Sequence, residues 1–456
     1  MKVANKYFDM LNFKGGIIML CQNCNKNEAT VKYTEIINGE KREVMLCEEC
    51  SRELGIGHMN FNMPIDFSSF FGDLLEGYED NSFMPLLTAN KQLKCNNCNM
   101  SFDEFMEAYR KQMLYNIELM VNADNAIDYA HAKLAPLPFE SCLVDDCIKR
   151  GISAQEGGAI YNFTGPQGFG IANVADSLYT IKKLVFEEKR ITMGELKKAL
   201  EMNYGKGLDA TTAGDIAMQV AKGLKDAGQE VGPDVIANTI RQVLEMELPE
   251  DVRKRYEEIH EMILELPKYG NDIDEVDKQG TKWADYFKNR LRTFKNYRKG
   301  PYHTGMYTVS AHVPMGENVG ATPDGRYAKE PLADGGMSPV YGRDIKGPTA
   351  VLKSVSKLDK TLTTNGGLLN MKFLPEFFKT ETGIDKFANF LRTFVDLEIP
   401  HIQFNVVRKE DLLAAKKNPE QYRGLTVRVA GYTAYFTELA DELQNEIIAR
   451  TSYGDI

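Results

Sequence analysis

Residues 427–436 read Val-Arg-Val-Ala-Gly-Tyr-Thr-Ala-Tyr-Phe and run on through Leu439 and Gln444 to Ile447-Ile448-Ala449-Arg450-Thr451. The β-branched run before Gly431 predicts a strand over 426–429, and the spacing beyond it predicts a helix over 437–450. A glycine between a strand and a helix is, taken alone, the ordinary mark of a turn. Upstream, strand-like runs cover Ile402–Val407 and Tyr307–Val313. Helical patterns cover 378–397, 250–265, 233–246, 193–202 and 172–188. An apolar stripe of Met113, Ile117, Met120, Val121 and Ile127 predicts a long helix from Phe102 to about Leu134, ended by Pro136 and Pro138. Helices alternating with strands imply an α/β architecture.

Composition narrows the function. The chain has 456 residues, 43% hydrophobic and 26% charged, enough to bury a substantial core. It contains no run of about 18 apolar residues, which argues against a membrane-spanning helix. The first twenty residues are too broken by polar groups for a secretory signal, so the cytoplasm is the expected location. A net charge of −10 argues against a nucleic-acid surface. The run Gly168-Phe169-Gly170-Ile171-Ala172-Asn173 lacks the third glycine of a dinucleotide fingerprint and follows no clear strand. Six of the eight cysteines form three Cys-x-x-Cys pairs: Cys21/Cys24, Cys47/Cys50 and Cys95/Cys98. In a cytosolic chain such pairs suggest metal or redox chemistry rather than disulfides. Two β-rich runs around Asn38-Gly39 predict a hairpin that would gather Cys21, Cys24, Cys47 and Cys50 into a four-thiolate zinc site. Cys95 and Cys98 supply only half of a second knuckle. Residues 1–56 are therefore expected to be a zinc-binding module and 57–106 a linker.

The segment around Gly431 closely resembles the glycyl radical signature of the pyruvate formate-lyase and diol-dehydratase superfamily. The similarity continues through Gly316–Asp334, Gly347–Lys357, Gln403–Val407, Pro136–Phe139 and Tyr161–Ser177, so it spans about 107–456. It implies the C-terminal portion of a ten-stranded α/β barrel over 107–400 and a glycine radical domain over 401–456. It also implies a radical stored on Gly431, installed by an activating enzyme that uses S-adenosylmethionine and an iron–sulfur cluster. Glycine suits this role because a side chain would crowd the planar radical and the close backbone approach of a hydrogen-transfer partner. Tyr307, Thr308 and Ser310 would line the pocket of a small hydroxylated or keto-acid substrate, in a homodimer if the barrel is intact.

In diol dehydratase-like members a thiyl cysteine sits in a Gly-Cys-Val-Glu loop upstream of the segment matching Pro136–Phe139. No such loop accompanies the similarity here. Cys142 and Cys147 lie on helical patterns and are expected to be buried structural thiols. His303, His312 and His401 are scattered singly and are expected to be structural. Residues 19–104 resemble the McsA zinc-binding activator of protein-arginine kinase, which implies that kinase as a partner. Both resemblances break off near Met106/Glu107, suggesting a fusion there, and residues 1–18 read like translated upstream sequence. Three readings follow: a glycyl radical lyase, dehydratase or formate acetyltransferase-like enzyme; a zinc adaptor with a passive passenger; or a radical-donating spare part.

Overall fold

The computed structural model describes the backbone of 31–37 and 40–46, and residues 100–456 apart from 208–216, 219, 222–223, 226–231 and 245–247. The chain divides into two units, Met1–Pro64 and Ile65–Ile456. In the first, β1 (Val31–Ile37) and β2 (Glu40–Leu46) pair antiparallel with Ile37 opposite Glu40, the two-residue connection that Asn-Gly predicts. The six cysteines of the Cys-x-x-Cys pairs lie outside the described residues.

The first helix described in the second unit is α1 (Phe102–Leu134). Its start is set by a capping box: Glu104 N donates to Ser101 Oγ at 3.2 Å, and Ser101 N donates to the Glu104 carboxylate at 2.7 Å. Phe105 and Met106 are buried in one core with Leu178, Phe186, Ile259 and Trp283, so the helix passes residue 106 without a break in packing. Beyond Pro136 come short helical turns at Pro138–Leu143 and Cys147–Arg150. Leu134, Phe139, Leu143, Ile148 and Tyr161 are exposed there, an apolar density that usually marks a contact surface.

The expected helix over 172–188 is realised as α2 (Ile171–Thr180) continued by π-helical turns over Ile181–Glu187. Next come α3 (Met193–Glu201), α4 (Pro233–Leu244) and α5 (Glu250–Glu265). The helix α6 (Asp274–Leu291) was not anticipated. Its Gly280 lets it lie against α2: a β-carbon there would come within 3.0 Å of both Ala175 and Ile171.

The run Tyr307–Val313 is not a strand. Its alternating sequence suggested one, but only Gly305 and Met306 find parallel partners, at Gln167 and Gly367. The chain then turns, with Ala311 N donating to Thr308 O at 2.8 Å, and enters α7 (His312–Glu317). Val309 takes φ +53° in that turn, a strained conformation for a β-branched residue. After α8 (Pro348–Ser356) comes a parallel sheet in the order β4-β3-β7, built from β3 (Leu369–Phe373), β4 (Ile402–Val406) and β7 (Ser452–Tyr453). The helices α9 (Glu381–Asp396) and α10 (Lys409–Lys417) flank β4 in sequence. A second hairpin joins β5 (Thr426–Arg428) to β6 (Thr433–Tyr435), and α11 (Asp441–Ala449) follows. The described residues thus carry sheets of two, three and two strands, short of the ten strands the resemblance implied.

Candidate functional site: the Gly431 hairpin

Gly431 occupies the tip of the β5–β6 hairpin. Val429 N donates to Tyr432 O at 3.0 Å, closing a turn whose central residues are Ala430 and Gly431. Gly431 has φ +86°, the left-handed value that a type II turn demands at its second central residue. Val427, Val429 and Phe436 anchor the hairpin in a core with Val313, Leu412, Leu443 and Ile447. Gly431 itself is exposed, while Ala430 beside it is buried.

The sequence reading expected side chains to crowd this position. The structure gives a different reason for glycine. A β-carbon on Gly431 would meet only Tyr307 Cε1, at 4.0 Å, among the described residues. Space is available, and it is the backbone angle that disfavours other residues.

A layer of side-chain amides, Gln403 and Asn405 buried and Asn370 half-buried, holds the hairpin from below. The parallel register pairs Asn370 on β3 with Gln403 on β4, and Asn405, two residues on, shares the buried face. Asn405 grips the Arg428 backbone from both sides, donating to its carbonyl at 2.7 Å and accepting from its N–H at 2.8 Å. Gln403 Oε1 accepts from Gly431 N and from Arg428 Nη2, each at 3.1 Å. Gln403 Nε2 donates to Val429 O at 3.3 Å and to Asn370 Oδ1. The Val429 carbonyl also accepts from Asn370 Nδ2 at 3.1 Å and Arg450 Nη1 at 2.9 Å.

Beneath the amides lies a buried charge cluster. Arg450 meets Glu446 at 2.8 Å and Asp334 at 3.3 Å, and His312 Nε2 stands 3.3 Å from Glu446. Burial acts to raise the Glu446 carboxyl, but Arg450 and His312 hold it down at about 2. For Asp334 burial prevails over Arg450 and the carboxyl is raised.

Of the expected pocket residues, only Tyr307 is shown beside the hairpin tip. Thr308 is buried, its hydroxyl accepting from Gly335 N at 3.1 Å, and Ser310 sits in the turn before α7. His303 packs against the Phe163 ring at 5.2 Å. The His401 ring lies 6.4 Å from that of Tyr307, and burial together with Arg428 pushes its imidazole down. Cys147 is buried as expected. Cys142 is exposed, because Pro138–Leu143 turns that side outward. Gln403 and Arg450 lay inside quoted motifs but were not singled out. Asn370 carried no sequence signal of its own.

Residues 74–316 match the pyruvate formate lyase-like family model, and residues 333–437, which include the hairpin tip, match the glycine radical model. The chain belongs to the pyruvate formate lyase-like family. A solved structure concerned with 1,2-propanediol dehydration in Roseburia inulinivorans is 67% identical, with TM-score 0.76, over 85% of this chain and 46% of that one. The B12-independent glycerol dehydratase of Clostridium butyricum is 40% identical, with TM-score 0.67, over 85% of this chain and 43% of its own. The trans-4-hydroxy-L-proline dehydratase of Clostridioides difficile is 36% identical over 77% of this chain and 38% of that protein. The chain therefore spans less than half the length of these relatives. The family match opens at residue 74, ahead of the 107 from which the quoted motifs carry the resemblance.

Proposed function

We propose that this chain is the radical-bearing portion of a glycyl radical dehydratase or lyase, with Gly431 as the storage site. The observation that carries this reading is a glycine at φ +86°, its N–H held by a buried amide, inside a match to the glycine radical model. One hydrogen atom leaves the Gly431 α-carbon to an S-adenosylmethionine-dependent activating enzyme, and the odd electron is shared with the flanking amide and carbonyl. The Roseburia and Clostridium butyricum relatives favour a small polyol over a keto acid as substrate, and Tyr307, Thr308 and Ser310 would line its pocket. A homodimer in the cytoplasm suits this reading. Among the described residues no helix is long and apolar enough to cross a membrane.

Storage and turnover are separable. Without a Gly-Cys-Val-Glu loop the chain has no thiyl to take hydrogen from a substrate carbon. After anaerobic activation, the radical is expected to appear by electron paramagnetic resonance while 1,2-propanediol and glycerol remain unconsumed. Turnover by the purified chain alone would show that a working cysteine is present, with Cys142 and Cys147 examined first.

We further propose a second role for the front unit, in which the β1–β2 hairpin is the connection that the zinc reading expects. It would bind one zinc through Cys21, Cys24, Cys47 and Cys50, leaving Cys95 and Cys98 weakly occupied, and serve as an adaptor to a protein-arginine kinase. Elemental analysis is expected to give one zinc per chain, lost on Cys47→Ser. Two equivalents, the second lost on Cys95→Ser, would show that the third pair has found further ligands.

A further inference from the structure

We infer that Gln403 is the positioning residue of the Gly431 site, its side-chain amide fixing the peptide plane on the nitrogen side of the glycine. The inference rests on the radical-storage reading and adds to it the group that holds the radical's geometry. Gln403 is 5% exposed, and its two ends do different work. Oε1 accepts from Gly431 N at 3.1 Å, and Nε2 donates to Val429 O at 3.3 Å. The amide thus spans the turn from the carbonyl before Ala430 to the N–H after it, holding both peptide planes at once.

Its orientation is determined by its neighbours. Arg428 Nη2 donates to the same Oε1 at 3.1 Å, and Asn370 Oδ1 accepts from Nε2. Asn370 in turn donates to Asp334 at 2.6 Å. Flipping the Gln403 amide would set an NH2 group against the Gly431 N–H and the Arg428 guanidinium, and its oxygen against the Val429 carbonyl. Each of those contacts is repulsive, so one orientation is held. The sheet does the rest, because the register of β3 and β4 places Asn370 beside Gln403.

The chemical consequence lies at nitrogen. An α-carbon radical is stabilised when the amide nitrogen shares its odd electron, which needs the peptide plane held in a defined orientation to the carbon. An acceptor on the N–H both holds that plane and makes the nitrogen more electron-rich. Tyr307 cannot do this, since it faces the β-carbon direction, and Arg450 reaches the hairpin through carbonyls alone.

The test compares wild type with Gln403→Met, similar in length without the amide, and Gln403→Glu, which keeps the acceptor. Each is 15N-labelled and treated anaerobically with the activating enzyme of a 1,2-propanediol dehydratase and S-adenosylmethionine. Gln403→Met is expected to lower the radical yield about tenfold, the worth of one net hydrogen bond, and to change the nitrogen hyperfine coupling. Gln403→Glu, whose one oxygen still accepts from Gly431 N while the other opposes the Val429 carbonyl, is expected to bring the coupling only part of the way back to wild type. Equal yield and equal couplings in all three would overturn the inference. Hydrogen exchange at the Gly431 amide of the unactivated chain tests the clamp with no radical present. Protection in wild type should be lost in Gln403→Met, and equal exchange in the two proteins refutes the clamp. If protection behaves as expected but wild type yields no radical, the clamp stands and the storage reading fails.

Discussion

Gly431→Ala is expected to abolish two things together: the organic radical formed on anaerobic activation, and backbone cleavage when oxygen is admitted. In wild type the signal should be a doublet from the one α-hydrogen that remains. Oxygen should then cut the chain at Gly431 and release residues 432–456. Gly431 is exposed at its hairpin tip, so nothing in the described structure shields it from dissolved oxygen and cleavage should be fast. The alanine variant is a clean test because the structure has space for it. Its β-carbon would stand 4.0 Å from Tyr307 Cε1, an ordinary contact, and the left-handed φ of +86° would cost about 1–2 kcal/mol. A body with several buried cores absorbs that loss, so the variant should fold with a modestly lowered melting temperature. Loss of the radical in a folded Gly431→Ala protein therefore reports on the storage chemistry. An unchanged doublet in that variant would place the radical on another residue.

The sequence was most legible where a single local rule governs the chain. The helix Phe102–Leu134 was legible from its apolar stripe and from Pro136 and Pro138 beyond it, while the Ser101–Glu104 capping box that fixes its start emerged only in the structure. The β1–β2 hairpin followed from the two β-rich runs on either side of Asn38-Gly39. Reading failed where pairing partners lie far away in the chain. Tyr307–Val313 has the alternation of a strand, yet the parallel partners offered by Gln167 and Gly367 extend only to Gly305 and Met306. Past that point the backbone turns. Helix α6 was missed because its buried positions include Asp277, Gly280, Thr281 and Lys288, so no apolar stripe shows. In the candidate site, Gly431 was legible from its motif. Its support was not: Gln403, Asn370 and Asn405 are polar residues on strands, and only the β3–β4 register brings them under the hairpin. Charge pairing across the chain was likewise invisible. Nothing in the sequence sets Asp334 beside Arg450, which lie 3.3 Å apart.

Arg450→Met should produce the largest loss of stability among single substitutions within residues 401–456. Arg450 is 7% exposed and faces two buried carboxylates, Glu446 at 2.8 Å and Asp334 at 3.3 Å. Removing one partner of a buried ion pair costs about 3–5 kcal/mol, because the remaining charge is left without compensation. Methionine fills much of the volume, so the loss would be electrostatic rather than a cavity effect. The pH dependence identifies the cause. In wild type the Glu446 carboxyl is held at about 2, below its ordinary 4.5, so it contributes stability that is present above pH 4.5 and lost as pH falls toward 2. In Arg450→Met the larger attraction is gone, and His312 alone opposes burial at Glu446, while His312 and Asn370 do so at Asp334, so both carboxyls rise. A raised carboxyl stabilises the fold in its protonated form and penalises it once ionised. The variant should therefore recover stability on acidification while wild type loses it, and the gap between them should shrink from pH 7 to pH 4. Denaturant unfolding at a series of pH values measures this directly. A gap below about 1 kcal/mol, the size expected of an exposed pair, would show that Arg450 is not the counter-charge of this cluster. A large gap that stays constant with pH would assign the loss to packing and to the Val429 and Arg428 carbonyls that Arg450 also caps.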